Sequence, residues 1–213
     1  MKTALLAGAT GLIGGQLLGL LLEDNRYRKV IAISRKPLDV SHPKLQNTVL
    51  DFEQLKKHSL ELKSDDIFCC LGTTMKQAKS KAAFRKVDFE FPVELARIGK
   101  EFGAGNYLLV SALGASNNSS IFYNQVKGEA EDSISKIGIR SLHIFRPSLL
   151  MGPRSEKRAG EDAAKWFYKF FGFIIPAKYK GIESIKVARA MVLFAQQPES
   201  GIFIHESLEL QTY

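Results

Sequence analysis

Residues 3–22 read TALLAGATGLIGGQLLGLLL, and this stretch decides the fold. No charge interrupts it, which is the look of a signal peptide or a membrane span. Glycines at 8, 11, 14, 15 and 19, with the polar Thr10 and Gln16, argue instead for a buried strand, a tight turn and a buried helix. Strand 3–7 runs into Gly8-Ala9-Thr10-Gly11-Leu12-Ile13-Gly14, and an apolar helix follows. Glycines there let the backbone turn sharply, approach a pyrophosphate and pack the helix close to its strand. The helix N-terminus adds free N–H groups and the positive end of its dipole. The spacing is GxxGxxG, so the literal GxGxxG pattern is not met. Strand before, helix after and a place in the first 15 residues carry the expectation of dinucleotide binding.

Outward from this unit, further strands are predicted at 29–34, 47–51, 66–71, 106–111, 141–146 and 202–205. Several are apolar on consecutive residues, as when both faces of a parallel sheet are covered. Between them Phe84, Val87, Phe91, Leu95, Ile98 and Phe102 form a helical stripe that Pro92 kinks or restarts near Asp88. Val126, Ala130, Ile134 and Ile137, and later Ala188, Met191, Val192 and Ala195, mark two more helices. The expected fold is α/β: a Rossmann-type doubly wound, about seven-stranded parallel sheet with helices on both faces. One domain is expected to span 1–213, with a small C-terminal substrate region in which 147–183 forms a lid or insert.

Composition agrees with one folded domain. The chain has 213 residues, 45% apolar and 24% charged, which excludes a disordered, collagenous or disulfide-stapled class. Thirty Lys and Arg against 22 Asp and Glu give +8, favouring an anionic partner. Cys69 and Cys70 are neighbours in an apolar run, read as small core hydrophobes of a reducing compartment. The four histidines show no ligand spacing, so no metal site is expected. A cytoplasmic location is expected.

Sites for an unphosphorylated ribose usually place an acid about 20 residues past the glycines. Here Arg35 stands 21 positions past Gly14, between Ser34 and Lys36. A guanidinium suits a 2′-phosphate, so NADP(H) is expected over NAD(H), with Ser34 and Arg35 as cofactor-binding residues. Tyr123 and Lys127 are four apart on one helix face, where an ammonium favours the phenolate. Such a tyrosine can give a proton to a carbonyl oxygen or take one from an alcohol. Ser111, ending the fifth strand, is expected to bond the same oxygen.

These features together resemble the short-chain dehydrogenase/reductase superfamily in its atypical, glycine-variant branch. Closer still are the Tat-interactive-protein-like oxidoreductases. The segments concerned are GATGLIGG (8–15), CCLGTT (69–74), VD (87–88), SALGASNNSSIFYNQVKGEAE (111–131), IFRPSLLMGPR (144–154) and VARAM (187–191). The resemblance implies that Gly8, Thr10, Gly11, Leu12, Ile13 and Gly14 line the pyrophosphate and Arg35 the 2′-phosphate. It places Leu71 and Gly72 under the adenosine ribose, Asp51 near the adenine, and Pro147 against the carboxamide. Lys127 would hold the nicotinamide ribose, and Arg158 a cofactor or substrate phosphate. Relatives often carry two serines where this chain has Ser111-Ala112, and a short NNAG motif found in some members is replaced by Cys70-Leu71-Gly72-Thr73.

Two stretches keep several readings open. The aromatic run Trp166 to Ile175 suits an apolar pocket lid, a helix on the sheet edge, or, with Lys165, Lys169, Lys178 and Lys180, a membrane- or partner-docking face. Lys76, Lys79, Lys81, Arg85 and Lys86 are read as a solvated face near the cofactor mouth; without a stacking platform or helix-turn-helix pattern, no nucleic acid is expected. The resulting expectation is an NADP(H)-dependent oxidoreductase acting on a small carbonyl or alcohol, with Ser111, Tyr123 and Lys127 as its catalytic set. The alternative is an NADP(H)-binding regulatory or scaffold protein. A homodimer or a protein partner is compatible with either.

Overall fold

A computed structural model describes residues 1–152, 180–197 and 199–213. Arg158, the run 166–175 and the lysines at 165, 169 and 178 lie outside the described residues. The expected sheet is present. Strands Lys2–Ala7 (β1), Tyr27–Ser34 (β2), Leu45–Val49 (β3), Asp66–Cys69 (β4), Asn106–Val110 (β5) and Ser141–Arg146 (β6) line up with Gly201–Glu206 at the edge. Two-residue strands Leu150–Met151 (β7) and Ile182–Glu183 (β8) pair with each other, which makes the edge strand β9. Every neighbour in the order β3-β2-β1-β4-β5-β6-β9 is parallel. The order reverses between β1 and β4, the switch point at which doubly wound sheets open a crevice at their carboxyl ends.

Alternation along β1 shows why the apolar runs are continuous. Ala4 and Leu6 face a core completed by Leu12–Glu23 (α1) and Ser184–Phe194 (α6). Leu5 and Ala7 face a second core, under the 3-10 segment Phe52–Leu62 and Phe91–Glu101 (α4). Leu17 and Leu21 of α1 are fully buried, each contributing about 1.5–3 kcal/mol of burial.

The stripe around Pro92 resolves differently from a single kinked helix. Met75–Ala78 (α2) precedes Lys81–Arg85 (α3), a π-helical turn follows at Lys86–Glu90, and α4 continues from it. Pro92 has no N–H for the carbonyl four residues back, so the backbone widens just ahead of it. The Phe91 N–H accordingly reaches Lys86 O, five residues back. This wide turn carries Asp88 into the interior, 1% exposed.

Candidate active site

The glycine turn closes on itself tightly. Gly8 has φ +91, and the Gly11 N–H donates to its carbonyl at 2.9 Å. A Cβ on Gly8 would lie 2.5 Å from Cys70 O, and one on Gly14 would lie 2.1 Å from Gly8 O. Gly11 caps α1 with no side-chain bond, and the first turn holds no acid. Thr10 and Gly11 are exposed, Leu12 is half-buried, and Ile13 turns its side chain into the core. Residues 10–12 are therefore the exposed part of the cradle, next to the carboxyl end of β4.

At the end of β2, Arg35 is exposed. Ser34 is buried, and its hydroxyl donates to Lys36 O at 2.6 Å and accepts from Asn47 Nδ2 at 2.8 Å. Asn47 Oδ1 also takes the Leu38 N–H at 2.8 Å. Ser34 and Asn47 thus brace the turn that presents Arg35. Sequence reasoning gave Ser34 to the cofactor and missed Asn47. Asp51 is exposed and caps the 3-10 segment by accepting from the Glu53 N–H at 3.0 Å.

The third wall is Phe122–Ser135 (α5). Tyr123, Lys127 and Glu131 follow one another at four-residue spacing, a polar row on one helix face. Tyr123 is 37% exposed, its ring edge-on to Phe84 with centroids 5.7 Å apart. Lys127 is buried, with its ammonium 2.9 Å from Asp88 Oδ1. Burial works against that charge, but Asp88 and the Tyr123 phenol outweigh it and hold the ammonium above its ordinary value. Asp88 Oδ2 accepts from the Thr73 N–H at 2.9 Å. Gly72 borders the pair: a Cβ there would lie 3.5 Å from Asp88 Oδ1 and 3.7 Å from Lys127 Nζ. Leu71 beside it is buried. The sequence marks Asp88 as a helix start and within the VD segment, but not as the partner of Lys127. It stands four residues past Phe84 on the apolar stripe, and an acid on a buried face is the signal that could have found that role.

Ser111 is engaged within the protein. It is 5% exposed and its hydroxyl donates to Glu131 Oε1. Arg146 Nε holds the same oxygen at 3.0 Å, and Arg146 reaches Glu206 at 3.1 Å. With its proton committed to a buried carboxylate, Ser111 fastens α5 to the ends of β5 and β6. Ala112 next to it supplies no hydroxyl. Ser116 is exposed and accepts from the Asn118 N–H. Pro147 is buried just past β6, and its carbonyl accepts from the Leu113 N–H at 3.0 Å.

The basic run is largely used locally. Lys81 sits over the Phe122 ring, Arg85 pairs with Glu129 at 2.7 Å, and Lys86 pairs with Glu53 at 2.6 Å. Lys76 and Lys79 are exposed. Cys69 and Cys70 are free, and burial pushes both thiols up, so neither is a ready nucleophile. Among the described residues no cluster suits a metal ion, and no helix is long and apolar enough to cross a membrane.

No family model matches the chain. Protein HTATIP2 of Rattus norvegicus is 34% identical over 206 residues, 94% of this chain and 84% of that protein. Protein fmp52, mitochondrial, of Aspergillus clavatus is 34% identical over 190 residues, covering 86% and 80%. The chain belongs to the family of the HTATIP2 and FMP52 proteins.

Solved structures agree on the family's fold. The Bordetella bronchiseptica enzyme WbmH in complex with NAD+ matches with a TM-score of 0.75 at 18% identity, over 97% of this chain and 76% of that one. UDP-N-acetylglucosamine 4-epimerase from Methanobrevibacter ruminantium matches with a TM-score of 0.73 at 16% identity, over 96% and 76%. One expectation is overturned by the relatives' names. FMP52 proteins of Aspergillus clavatus, Debaryomyces hansenii and Candida albicans are named mitochondrial, against the cytoplasmic location inferred from sequence. Buried cysteines separate reducing from oxidising surroundings and carry no address within the cell.

Proposed function

We propose that this protein is an NADP(H)-dependent oxidoreductase that acts on a small carbonyl or alcohol, with residues 147–183 on the substrate side. The observation that carries this reading is the meeting of Tyr123, the Lys127–Asp88 pair and Gly72 at the carboxyl edge of the sheet, beside the glycine turn. The cradle fits a dinucleotide: at Gly8 and Gly14 a side chain would fill the space that keeps the turn closed. Gly8, Thr10, Gly11, Leu12, Ile13 and Gly14 would hold the pyrophosphate, and Leu71, Gly72 and Lys127 the sugars. Asp51 would lie near the adenine, Pro147 against the carboxamide, and Arg158 near a phosphate. When bound, the nicotinamide supplies or accepts hydride.

The rest falls to the chain. Tyr123, part-exposed at the crevice, donates its phenolic proton to the carbonyl oxygen or takes it back from the alcohol. Lys127 lies within electrostatic reach of that phenol, and Asp88 fixes the ammonium in place. Because the Ser111 proton is spent on Glu131, polarising the substrate oxygen rests on Tyr123 alone. Tyr123→Phe should therefore lower NADPH-dependent turnover by roughly 10²–10⁴-fold and leave NADPH affinity unchanged. A panel of aldehydes, ketones and quinones checks this, and unchanged turnover on an accepted substrate would refute it.

Arg35 sets the cofactor preference in this reading. Its guanidinium stands exposed where a 2′-phosphate would arrive, and a charge-assisted bond there contributes about 1.5–3 kcal/mol. Arg35→Ala should weaken NADPH binding by roughly 10–100-fold and leave NADH binding as it was. Equal affinities of the unaltered protein for the two nucleotides would rule the preference out. A second reading, a nucleotide-binding regulatory or scaffold protein, draws support from the engaged Ser111. It predicts tight NADPH binding, no turnover across the panel, and a partner retained with the nucleotide.

A further inference from the structure

Away from the crevice, the far edge of the sheet contains a chain of polar groups, buried at Ser141, His143 and His205 and exposed at Glu209, that the proposed chemistry does not use. Ser141 Oγ lies 3.0 Å from His143 Nε2, His143 Nδ1 lies 3.0 Å from His205 Nε2, and His205 Nδ1 lies 3.1 Å from Glu209 Oε1. The carboxylate only accepts, so His205 Nδ1 carries a proton and its Nε2 accepts. His143 then donates from Nδ1, and its Nε2 accepts from the Ser141 hydroxyl. One proton per link satisfies every group, with both rings neutral.

The surroundings resist a second charge. The His143 ring stacks on Phe203 and Phe194 at 4.9 and 5.6 Å, and His205 stacks on Phe194 and Phe145 at 3.8 and 4.9 Å. Ser141, His143 and Phe145 come from β6, Phe203 and His205 from β9, and Phe194 from α6. Glu209 lies on Ser207–Leu210 (α7), and the Tyr213 ring rests on Phe194. Of these, Glu209, the two imidazoles and the Tyr213 phenol are the titratable groups. Arg146 and Glu206, on the neighbouring positions of β6 and β9, are paired with each other.

The residues after His205 reach the crevice wall. Glu206 holds Arg146, which holds Glu131 of α5. Ser207 Oγ accepts from the Ser148 N–H at 3.1 Å and donates to Ser148 Oγ at 2.9 Å, directly beside Pro147. Ser148 in turn donates to Lys180 O. We propose that His143, His205 and Glu209 form an acid-releasable latch that fastens β9 and α7 to β6. Acid loosens that corner and, through Glu206 and Ser207, the wall of the crevice. Burial, with His205 beside it, pushes His143 down from 6.5 to about 4. A depressed histidine favours the docked form fully above 6.5, and that contribution is lost as pH falls toward about 4.

Hydrogen exchange on the whole chain, corrected for the intrinsic pH dependence, tests the latch at about pH 7.5 and about pH 5. Peptides covering 201–210 should lose protection at least tenfold more than those covering β1 at the lower pH. His143→Gln, which keeps one donor and one acceptor but does not titrate, should remove that difference. Loss spread evenly over the sheet, or the same local loss in His143→Gln, would overturn the proposal. Should the variant not fold, imidazole NMR titration of the unaltered protein decides: one ring of the pair is expected to stay neutral well below the ordinary histidine range. Two independent rings titrating near 6.5 would overturn the latch. Neither measurement requires nucleotide or substrate, so the result stands apart from the proposed reaction.

Discussion

Gly14→Ala should abolish nucleotide binding, whereas Gly19→Ala on the same helix should leave it intact. A Cβ at position 14 would stand 2.1 Å from Gly8 O and 2.7 Å from Gly8 C. Both are backbone atoms, so no rotamer relieves the overlap. Either the turn opens or α1 slides off β1, and both disperse the N–H groups at 10–14. Overpacking of this kind costs about 1–3 kcal/mol of stability, and NADPH affinity should fall by roughly 100-fold or more, about 2.8 kcal/mol. At Gly19 a Cβ would meet nothing within 4 Å. Alanine there should add about 0.5–1 kcal/mol by restricting the unfolded chain. NADPH titration with thermal melts of both variants checks the contrast, and comparable binding by the two would contradict the cradle.

The second large effect lies at the buried ion pair. Asp88→Leu removes the partner of an ammonium whose side chain is 6% exposed and strips the acceptor from the Thr73 N–H. Breaking a buried pair from one side costs about 3–5 kcal/mol. For a domain of this size that is roughly 6–20 °C of melting temperature. The double variant Asp88→Leu/Lys127→Met removes both charges and should regain much of the loss, giving a large coupling in a double-mutant cycle. Additive melting shifts would contradict a direct dependence of Lys127 on Asp88. Neither variant should support turnover, because the ammonium is either displaced or absent.

The sheet was legible because its strands are short apolar runs separated by helical periods, and covered faces leave few alternatives to a parallel order. The glycine turn was legible even with a variant spacing, since strand, turn and helix sit in one continuous stretch. Two things about the site were not. Asp88 reaches the interior through a widened turn ahead of Pro92, and a steady 3.6-residue period does not anticipate a π turn. Ser111 looked free because its partner Glu131 lies 20 residues away in sequence, and Arg146, which holds that carboxylate, lies on another strand. Glu131 did offer a signal, repeating the spacing of Tyr123 and Lys127 along α5. The bracing of Arg35 by Asn47 depends on β2 pairing with β3, a contact between strands that no local pattern carries.

A crystal structure of the protein with NADPH tests the central claim most directly. The account predicts the pyrophosphate on the backbone of 10–14, the 2′-phosphate on Arg35, and the nicotinamide C4 facing the space beside the Tyr123 phenol, with Lys127 on the adjoining ribose. A nucleotide bound away from the glycine turn, or a nicotinamide ring beyond reach of that phenol, would contradict it.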